Sequence, residues 1–315
     1  MSDNFGSRIA VVVPCHNEEA TIASVVTAFA KALPTAMVFV YDNASTDNTS
    51  SVAREAGAIV RTEPVLGKGS VVRRMFADVE ADVYVMADGD GTYDAAMAPV
   101  LVDRLIDEGL DMVIGTRRGV MVDAGRRGHA VGNRLFNTLY RLLFASSSAD
   151  LFSGYRVFSR RFVKSFPAVS AGFEVETEIS VHASQLQLPV SEVEVAYMAR
   201  PDGSESKLRS VADGFGVLRA MIVLLKVNRP MALLGSFSAL FATASFALGC
   251  PVVVDYLRTG VVERLPTAVL ATGLAVLALT SAVAGLIMDS ISRASVESRR
   301  LAYLAQPGPG DRLDG

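Results

Sequence analysis

The chain is expected to fold as an α/β domain with a mainly parallel sheet, followed by a two-helix transmembrane hairpin. Three observations lead there: apolar runs alternate with helix-like segments, polar turns follow the apolar runs, and two long uncharged stretches lie late in the chain. Ile9–Val13, Met37–Tyr41, Ala58–Val60, Val83–Ala87 and Met112–Ile114 are short apolar runs of the kind that form strands buried on both faces. Between them, Ala20–Leu33, Asn48–Ala56, Gly69–Val79 and Met97–Glu108 read as helices. Strand and helix in alternation predict a parallel sheet.

Of the 315 residues 50% are hydrophobic, and the excess is concentrated at one end. Pro230 to Val254 is 25 residues without a charge and Leu265 to Met288 another 24. Each is long enough to cross a hydrocarbon core of about 30 Å as a helix. The connection Asp255 to Arg264 is short, so the pair is a hairpin and both its ends return to one compartment. Lys226 and Arg229 before it, with Arg293, Arg299 and Arg300 after it, outnumber Arg258 and Arg264 in the loop. That bias predicts cytoplasmic termini in a cell inner membrane or plasma membrane. The polar Met1–Ser7 has no basic region followed by an apolar core, so no secretory signal is expected ahead of residue 8. The expected organisation is a cytoplasmic α/β domain over 1–207, an amphipathic juxtamembrane helix over 208–229, the membrane pair within 230–289, and a cytoplasmic tail over 290–315 whose end is disordered.

The net charge of −3 conceals a division. Residues 1–114 hold 8 basic and 17 acidic side chains, and residues 115–229 hold 16 and 10. An acidic first part suits metal binding, and a basic second part suits phosphates or anionic lipid. Nucleic-acid binding is not expected, since the acidic part would repel a phosphate backbone and aromatic residues are sparse. Cys15 and Cys250 offer neither a disulfide framework nor metal-site spacing. His129 and His182 stand alone and read as structural.

The acidic turns point to chemistry. The strand at Val83–Ala87 runs directly into Asp88-Gly89-Asp90, at the carboxyl edge where parallel sheets bind ligands. At a spacing of two, both carboxylates point the same way once the chain bends, and Gly89 lets backbone approach a ligand. Their hard oxygens suit Mg2+ or Mn2+ bridging a diphosphate. A solvated turn is the competing reading, because Asp and Gly dominate turns. Two further polar ends, Pro14-Cys15-His16-Asn17-Glu18-Glu19 and Asp42-Asn43-Ala44-Ser45-Thr46-Asp47, converge on the same edge. Taken alone, each would be a helix start. Gly67-Lys68-Gly69 is not a P-loop, because position 62 is Thr where that motif needs Gly. Lys68 can still lie near a diphosphate.

These segments, with Gly-Thr-Arg (115–117), Ser-Gly-Tyr-Arg-Val-Phe-Ser-Arg (153–160) and Ser-Lys-Leu (206–208), occur in an order that resembles family 2 glycosyltransferases of GT-A fold. Within them the pattern is similar to the polyprenyl-phosphate sugar synthases of dolichyl-phosphate mannose synthase type, over roughly residues 8–228. The resemblance implies that Pro14, His16 and Glu18 line a nucleoside pocket and that Asp42 accepts hydrogen bonds from base or ribose. It implies Asp90 as the primary cation ligand, with Asp88 shared between sugar and metal. Relatives often have Asp-Ala-Asp-Leu-Gln there, so the side-chain amide is missing here and Thr92 or water takes its place. Arg117 is assigned to the active site, and Arg200 and Lys207 to a segment closing over the donor diphosphate. Arg126 and Arg127 suit either the acceptor phosphate or anionic headgroups. Glu176 or Glu178 matches a family acidic position.

The expected reaction moves one hexose-type sugar from a UDP- or GDP-sugar to a polyprenyl phosphate, inverting the anomeric centre. Its expected partners are those two substrates and the lipid bilayer, with homo-oligomers forming through the membrane helices. A processive polysaccharide synthase is disfavoured, since its Gln-x-x-Arg-Trp motif needs a Trp and the chain has none. A transferase for another membrane glycolipid, or an inactive membrane scaffold, is the remaining alternative.

Overall fold

The computed structural model describes residues 8–118, 153–172, 174–198 and 230–309. Two compact units emerge, Met1–Ser210 with Ser298–Gly315, and Val211–Glu297.

The first unit is built on a seven-stranded sheet: β1 (Ile9–Cys15), β2 (Met37–Asp42), β3 (Ile59–Thr62), β4 (Val83–Met86), β5 (Met112–Arg118), β6 (Arg156–Ser159) and β7 (Val190–Ala196). Their order is β3-β2-β1-β4-β6-β5-β7. All neighbours are parallel except β6, which runs antiparallel to both β4 and β5. The five apolar runs of the sequence are β1 to β5. β6 and β7 are not among the strands expected from the sequence, since β6, Arg-Val-Phe-Ser, holds only two apolar residues and β7, Val-Ser-Glu-Val-Glu-Val-Ala, is half polar.

Helices α1 (Ile22–Ala32), α2 (Thr49–Glu55), α3 (Lys68–Asp78), α4 (Ala98–Asp107), α5 (Arg160–Ser165) and α6 (Val175–Leu186) belong to this unit. In α1 the buried residues Ile22, Val25, Val26 and Phe29 recur at helical spacing and form one stripe. That stripe joins Leu101, Val102 and Leu105 of α4 in a core over Val11, Val13, Val83 and Val85. Alternation along β4 turns Tyr84 to the opposite face, where its ring lies 6.1 Å from Phe76 of α3. Phe158, Phe162 and Phe166 extend that second core. The sheet is therefore covered on both faces, as parallel sheets require.

The second unit contains α7 (Pro230–Thr259) and most of α8 (Leu265–Leu304), both long and apolar enough to cross a membrane. Ser238 and Ser245 of α7 donate to the carbonyls of Ala278 and Ala271 of α8 at 2.8 and 2.7 Å. Gly249 lies against Ala271, and Gly285 against Met231 and Leu234. Small residues that let helix backbones approach, with hydroxyls bonding across, are how apolar helices associate in lipid.

α8 runs well past Met288, and its last turns, from Ser298, belong to the first unit. The fully buried Asp111 accepts from Ser159 Oγ at 2.7 Å and from Tyr303 of α8 at 2.9 Å. Arg161 donates Nε and Nη2 to the two oxygens of Asp111 at 2.5 and 3.0 Å, and its guanidinium lies 4.9 Å from the Tyr303 ring centroid. Removing the carboxylate leaves a half-buried guanidinium uncompensated. Asp111→Ala is expected to lower stability by about 3 kcal/mol, measured by denaturant unfolding.

His182 of α6 packs edge-on against Phe162 and Phe166, at 5.2 and 5.4 Å. Ser165 Oγ donates to Phe162 O, so His182 Nε2 donates to Ser165 Oγ at 3.0 Å, and Nδ1 is left buried without a partner among the described residues. Burial, helped by the Arg299 charge, lowers its pKa from 6.5 to about 3. The histidine is structural in this setting. Because the unfolded chain takes up a proton that the folded one refuses, stability should be insensitive to His182 above pH 6.5 and fall as pH drops below it. His182→Phe is expected to flatten that acid limb in unfolding midpoints recorded against pH.

Candidate active site

The carboxyl ends of β1, β2 and β4 deliver three polar turns to one sheet edge, and hydrogen bonds between turns hold them together. Asn43 is the main tie. Its backbone N–H donates to Cys15 O at 2.8 Å, its amide donates to Glu63 O and Val65 O at 3.0 and 2.8 Å, and its Oδ1 accepts from Gly67 N at 2.7 Å. His16 Nδ1 donates to Asn43 O at 2.7 Å. Asp42, buried at the end of β2, accepts from Ser45 N at 3.0 Å and Ser50 Oγ at 2.6 Å, which fixes the turn into α2. Glu18 sits where α1 begins, its N–H donating to Thr49 Oγ1 at 2.8 Å, and Pro14 is buried in β1. Pro14, His16, Glu18 and Asp42 thus share one stitched edge.

Asp88, Gly89 and Asp90 follow β4 on that edge. Thr21 Oγ1 donates to Gly89 O at 2.7 Å, tying the turn to α1. Asp90 is buried and its Oδ1 accepts from Thr92 N and Oγ1 at 3.1 and 2.6 Å. Thr92 therefore lies directly against the Asp90 carboxylate. Asp88 is more open, with 29% of its side chain exposed, and its Oδ1 receives the Lys68 ammonium at 2.5 Å. The same ammonium lies 2.6 Å from Glu176 Oε1, while Glu176 Oε2 is buried with no partner among the described residues. Burial pulls the Lys68 pKa down, but Asp88 and Glu176 more than reverse this, and the net shift is upward. Glu178 is engaged elsewhere, its oxygens accepting from Val169 N and Ser170 N at 2.8 Å each.

β6 contributes what residue patterns alone did not assign. Running antiparallel, it brings Ser153-Gly154-Tyr155 to the edge where β4 ends. A Cβ on Gly154 would overlap the Asp88 carboxylate. Gly154 N donates to Tyr93 Oη at 2.9 Å, and Ser153 Oγ to Gly115 O at 2.6 Å. Arg117 lies near the end of β5, its guanidinium 5.5 Å from the Tyr197 ring centroid. Tyr197 bridges to Tyr93, whose pKa is pushed up to about 12 by burial and then by Asp88. One chain of contacts thus runs from Arg117 through Tyr197 and Tyr93 to Gly154 beside Asp88. Arg126, Arg127, Arg200, Lys207, His129 and the proposed juxtamembrane helix lie outside the described residues.

Among the described residues no group of three or more His, Cys, Asp and Glu forms a metal cage. Magnesium-type sites do not need one, since one or two carboxylates and substrate phosphates suffice. Asp88 and Asp90 fit that role: Asp88 already attracts a cation, and the two carboxylates Asp88 and Glu176 around the one Lys68 ammonium leave the cluster with surplus negative charge.

Residues 10–166 match the family model for glycosyl transferase family 2. Glycosyltransferase AglJ of Haloferax volcanii is 35% identical over 250 residues, covering 79% of this chain and 81% of that protein. The chain belongs to glycosyl transferase family 2. It is therefore a glycosyltransferase, and the α/β domain is of GT-A type. The dolichyl-phosphate hexose transferase of Haloferax volcanii is 26% identical over 222 residues, covering 70% of this glycosyltransferase and 96% of the relative. A crystal structure of glucosyl-3-phosphoglycerate synthase from Mycobacterium tuberculosis with Mn2+, UDP and glucosyl-3-phosphoglycerate superposes with a TM-score of 0.56 at 26% identity, covering 70% and 80% of the two chains.

Gly154→Ala tests the geometry directly. With Asp88 displaced by a methyl group, the glycosyltransferase is expected to fold normally by circular dichroism yet lose about 100-fold in turnover.

Proposed function

We propose that this glycosyltransferase transfers a single hexose-type sugar from a UDP- or GDP-sugar to a polyprenyl phosphate at the cytoplasmic face of an inner or plasma membrane, both termini being cytoplasmic. The observation that carries the reading is the presence, in one chain, of the Asp88/Asp90 edge and two helices of membrane-crossing length. The Haloferax relative supports a lipid phosphate acceptor, since its name specifies dolichyl phosphate and hexose. The Mycobacterium structure supports a nucleotide donor and a divalent cation, being solved with UDP and Mn2+.

The chemistry asks for little more than positioning. A phosphate monoester has a second pKa of about 6, so the acceptor is an oxyanion at neutral pH and no strong general base is needed. An acceptor phosphate oxygen attacks the anomeric carbon, the bond to the nucleoside diphosphate oxygen breaks, and the configuration inverts. Asp88 and Asp90 are the residues that would hold Mg2+ or Mn2+. When bound, the cation offsets the negative charge gathering on the departing diphosphate. Pro14, His16, Glu18 and Asp42 form the nucleoside side of the site. Arg117 keeps its guanidinium charged at any relevant pH and suits the attacking phosphate, in a position fixed by Tyr197. Arg126 and Arg127 are assigned to the acceptor phosphate, Arg200 and Lys207 to the donor diphosphate.

The test incubates purified protein with undecaprenyl phosphate, Mg2+ or Mn2+ and a panel of UDP- and GDP-sugars, following sugar into the organic phase with and without chelator. A chelator-sensitive lipid product is expected. Sugar transferred only to a water-soluble phosphate such as phosphoglyceric acid would overturn the lipid acceptor, and no turnover with any donor would favour the scaffold reading. In the same assay Asp90→Asn should abolish turnover together with metal-dependent donor binding, while Arg117→Ala should reduce turnover more than donor affinity. Full activity in both variants would remove the assignment.

A further inference from the structure

Lys68 is held in an unusual position. It is the first residue of α3, yet only 11% of its side chain is exposed, and its ammonium is shared between Asp88 Oδ1 and Glu176 Oε1. The backbone on either side explains how it comes to be there. Gly67 has φ 125°, a left-handed conformation that favours glycine. Cβ atoms on Gly67 and Gly69 would overlap the carbonyls of Ala171 and Ser170. Gly69 N donates to Ala171 O at 3.0 Å, and Ser70 N to Gly67 O at 3.0 Å. The two glycines thus let the 170–172 segment lie against the start of α3. That segment leads into α6, whose first turn carries Glu176. The Gly-Lys-Gly pattern is explained by this packing, and it leaves Lys68 pinned between two carboxylates from α6 and the β4 edge.

We propose that Lys68 is the built-in counter-cation of Asp88 and competes with the divalent cation for that carboxylate, an inference that rests on the metal-dependent donor reading above. Asp88 Oδ1 cannot hold an ammonium at 2.5 Å and a doubly charged ion together without placing two cations within a few ångströms of each other. Glu176, 7% exposed and fixed in α6, keeps its own contact and gives Lys68 a place to remain when Asp88 is taken. In the absence of donor, Lys68 therefore holds Asp88 in place and lowers its affinity for metal. Donor phosphates bring the negative charge that compensates both cations, so metal and nucleotide enter together. Lys68 acts here as a positioning residue: it sets when Asp88 is available rather than taking part in bond making.

The test is equilibrium Mn2+ binding to the full-length protein in detergent, read from the free-ion EPR signal with and without UDP. Wild type is expected to bind Mn2+ weakly alone and much more tightly with UDP. Lys68→Met is expected to bind Mn2+ without UDP more tightly by on the order of tenfold, the scale on which neighbours of metal ligands act, and to lose most of the enhancement by UDP. A merely structural lysine predicts the reverse, because a loosened Asp88 binds metal less well. Unchanged or weaker Mn2+ binding by Lys68→Met, with UDP-dependent binding intact in wild type, would overturn the proposal and leave the donor reading standing. Lys68→Arg keeps the charge and guards against a misfolded Met variant. Its forked pairing with Asp88 should weaken Mn2+ binding without UDP, and tighter binding would also overturn the proposal. If no form binds Mn2+ even with UDP, the metal-dependent reading and this inference fall together.

Discussion

The active-site edge depends on a single antiparallel strand. β6 lies between β4 and β5 and pairs with both, Arg156 standing opposite Met86 on one side and Ile114 on the other. Its reversed direction delivers the start of the strand, Ser153-Gly154-Tyr155, to the edge where its two neighbours end. A parallel strand in that place would deliver its other end. With this arrangement Gly154 lies against Asp88, Ser153 ties to Gly115 two residues before Arg117, and Tyr155 packs on Phe29 and Tyr93 in the core. The polar turns after β1, β2 and β4 and the Arg117 end of β5 are thereby joined.

The charge arrangement follows from that frame. Buried ion pairs return little stability once desolvation is counted, and a cluster with two carboxylates to one ammonium is poorly balanced for stability alone. Such imbalance is usual at functional sites. The molecule also contains a contrasting case. Asp111, with Arg161, Ser159 and Tyr303, has every oxygen engaged and both charges matched, and it fastens the end of α8 to the sheet. One cluster is satisfied and structural, the other is left with an unpartnered oxygen on Glu176.

The helical pair has a different kind of surface. α7 and α8 present mainly apolar side chains outward, Leu240, Phe246, Leu270 and Leu279 among them, and bring glycine, alanine and serine into their mutual contact beside Met231 and Leu234. Such a distribution is inside-out for a water-soluble bundle and ordinary for helices in lipid.

Much of this is legible in the residues. Five strands, four helices and both long apolar helices announce themselves through local patterning, because burial on both faces of a sheet or exposure to lipid demands continuous apolar runs. Asp88 and Asp90 are visible for the same reason, as carboxylates abutting an apolar run. β6 and β7 are not, being half polar, and their place in the sheet comes from partners far away in the chain. The choice of Glu176 over Glu178 beside Lys68 is likewise undecided by spacing, since residues two apart on a helix face different ways and only packing says which way is inward. Asn43 gives no signal at all, because an asparagine in a polar turn looks like any other until its amide meets the backbone of the 63–67 segment at three points. Local patterning thus determined the elements and the chemistry they offer, and tertiary structure decided which side chains meet, because those meetings depend on strand order and direction rather than on neighbours in sequence.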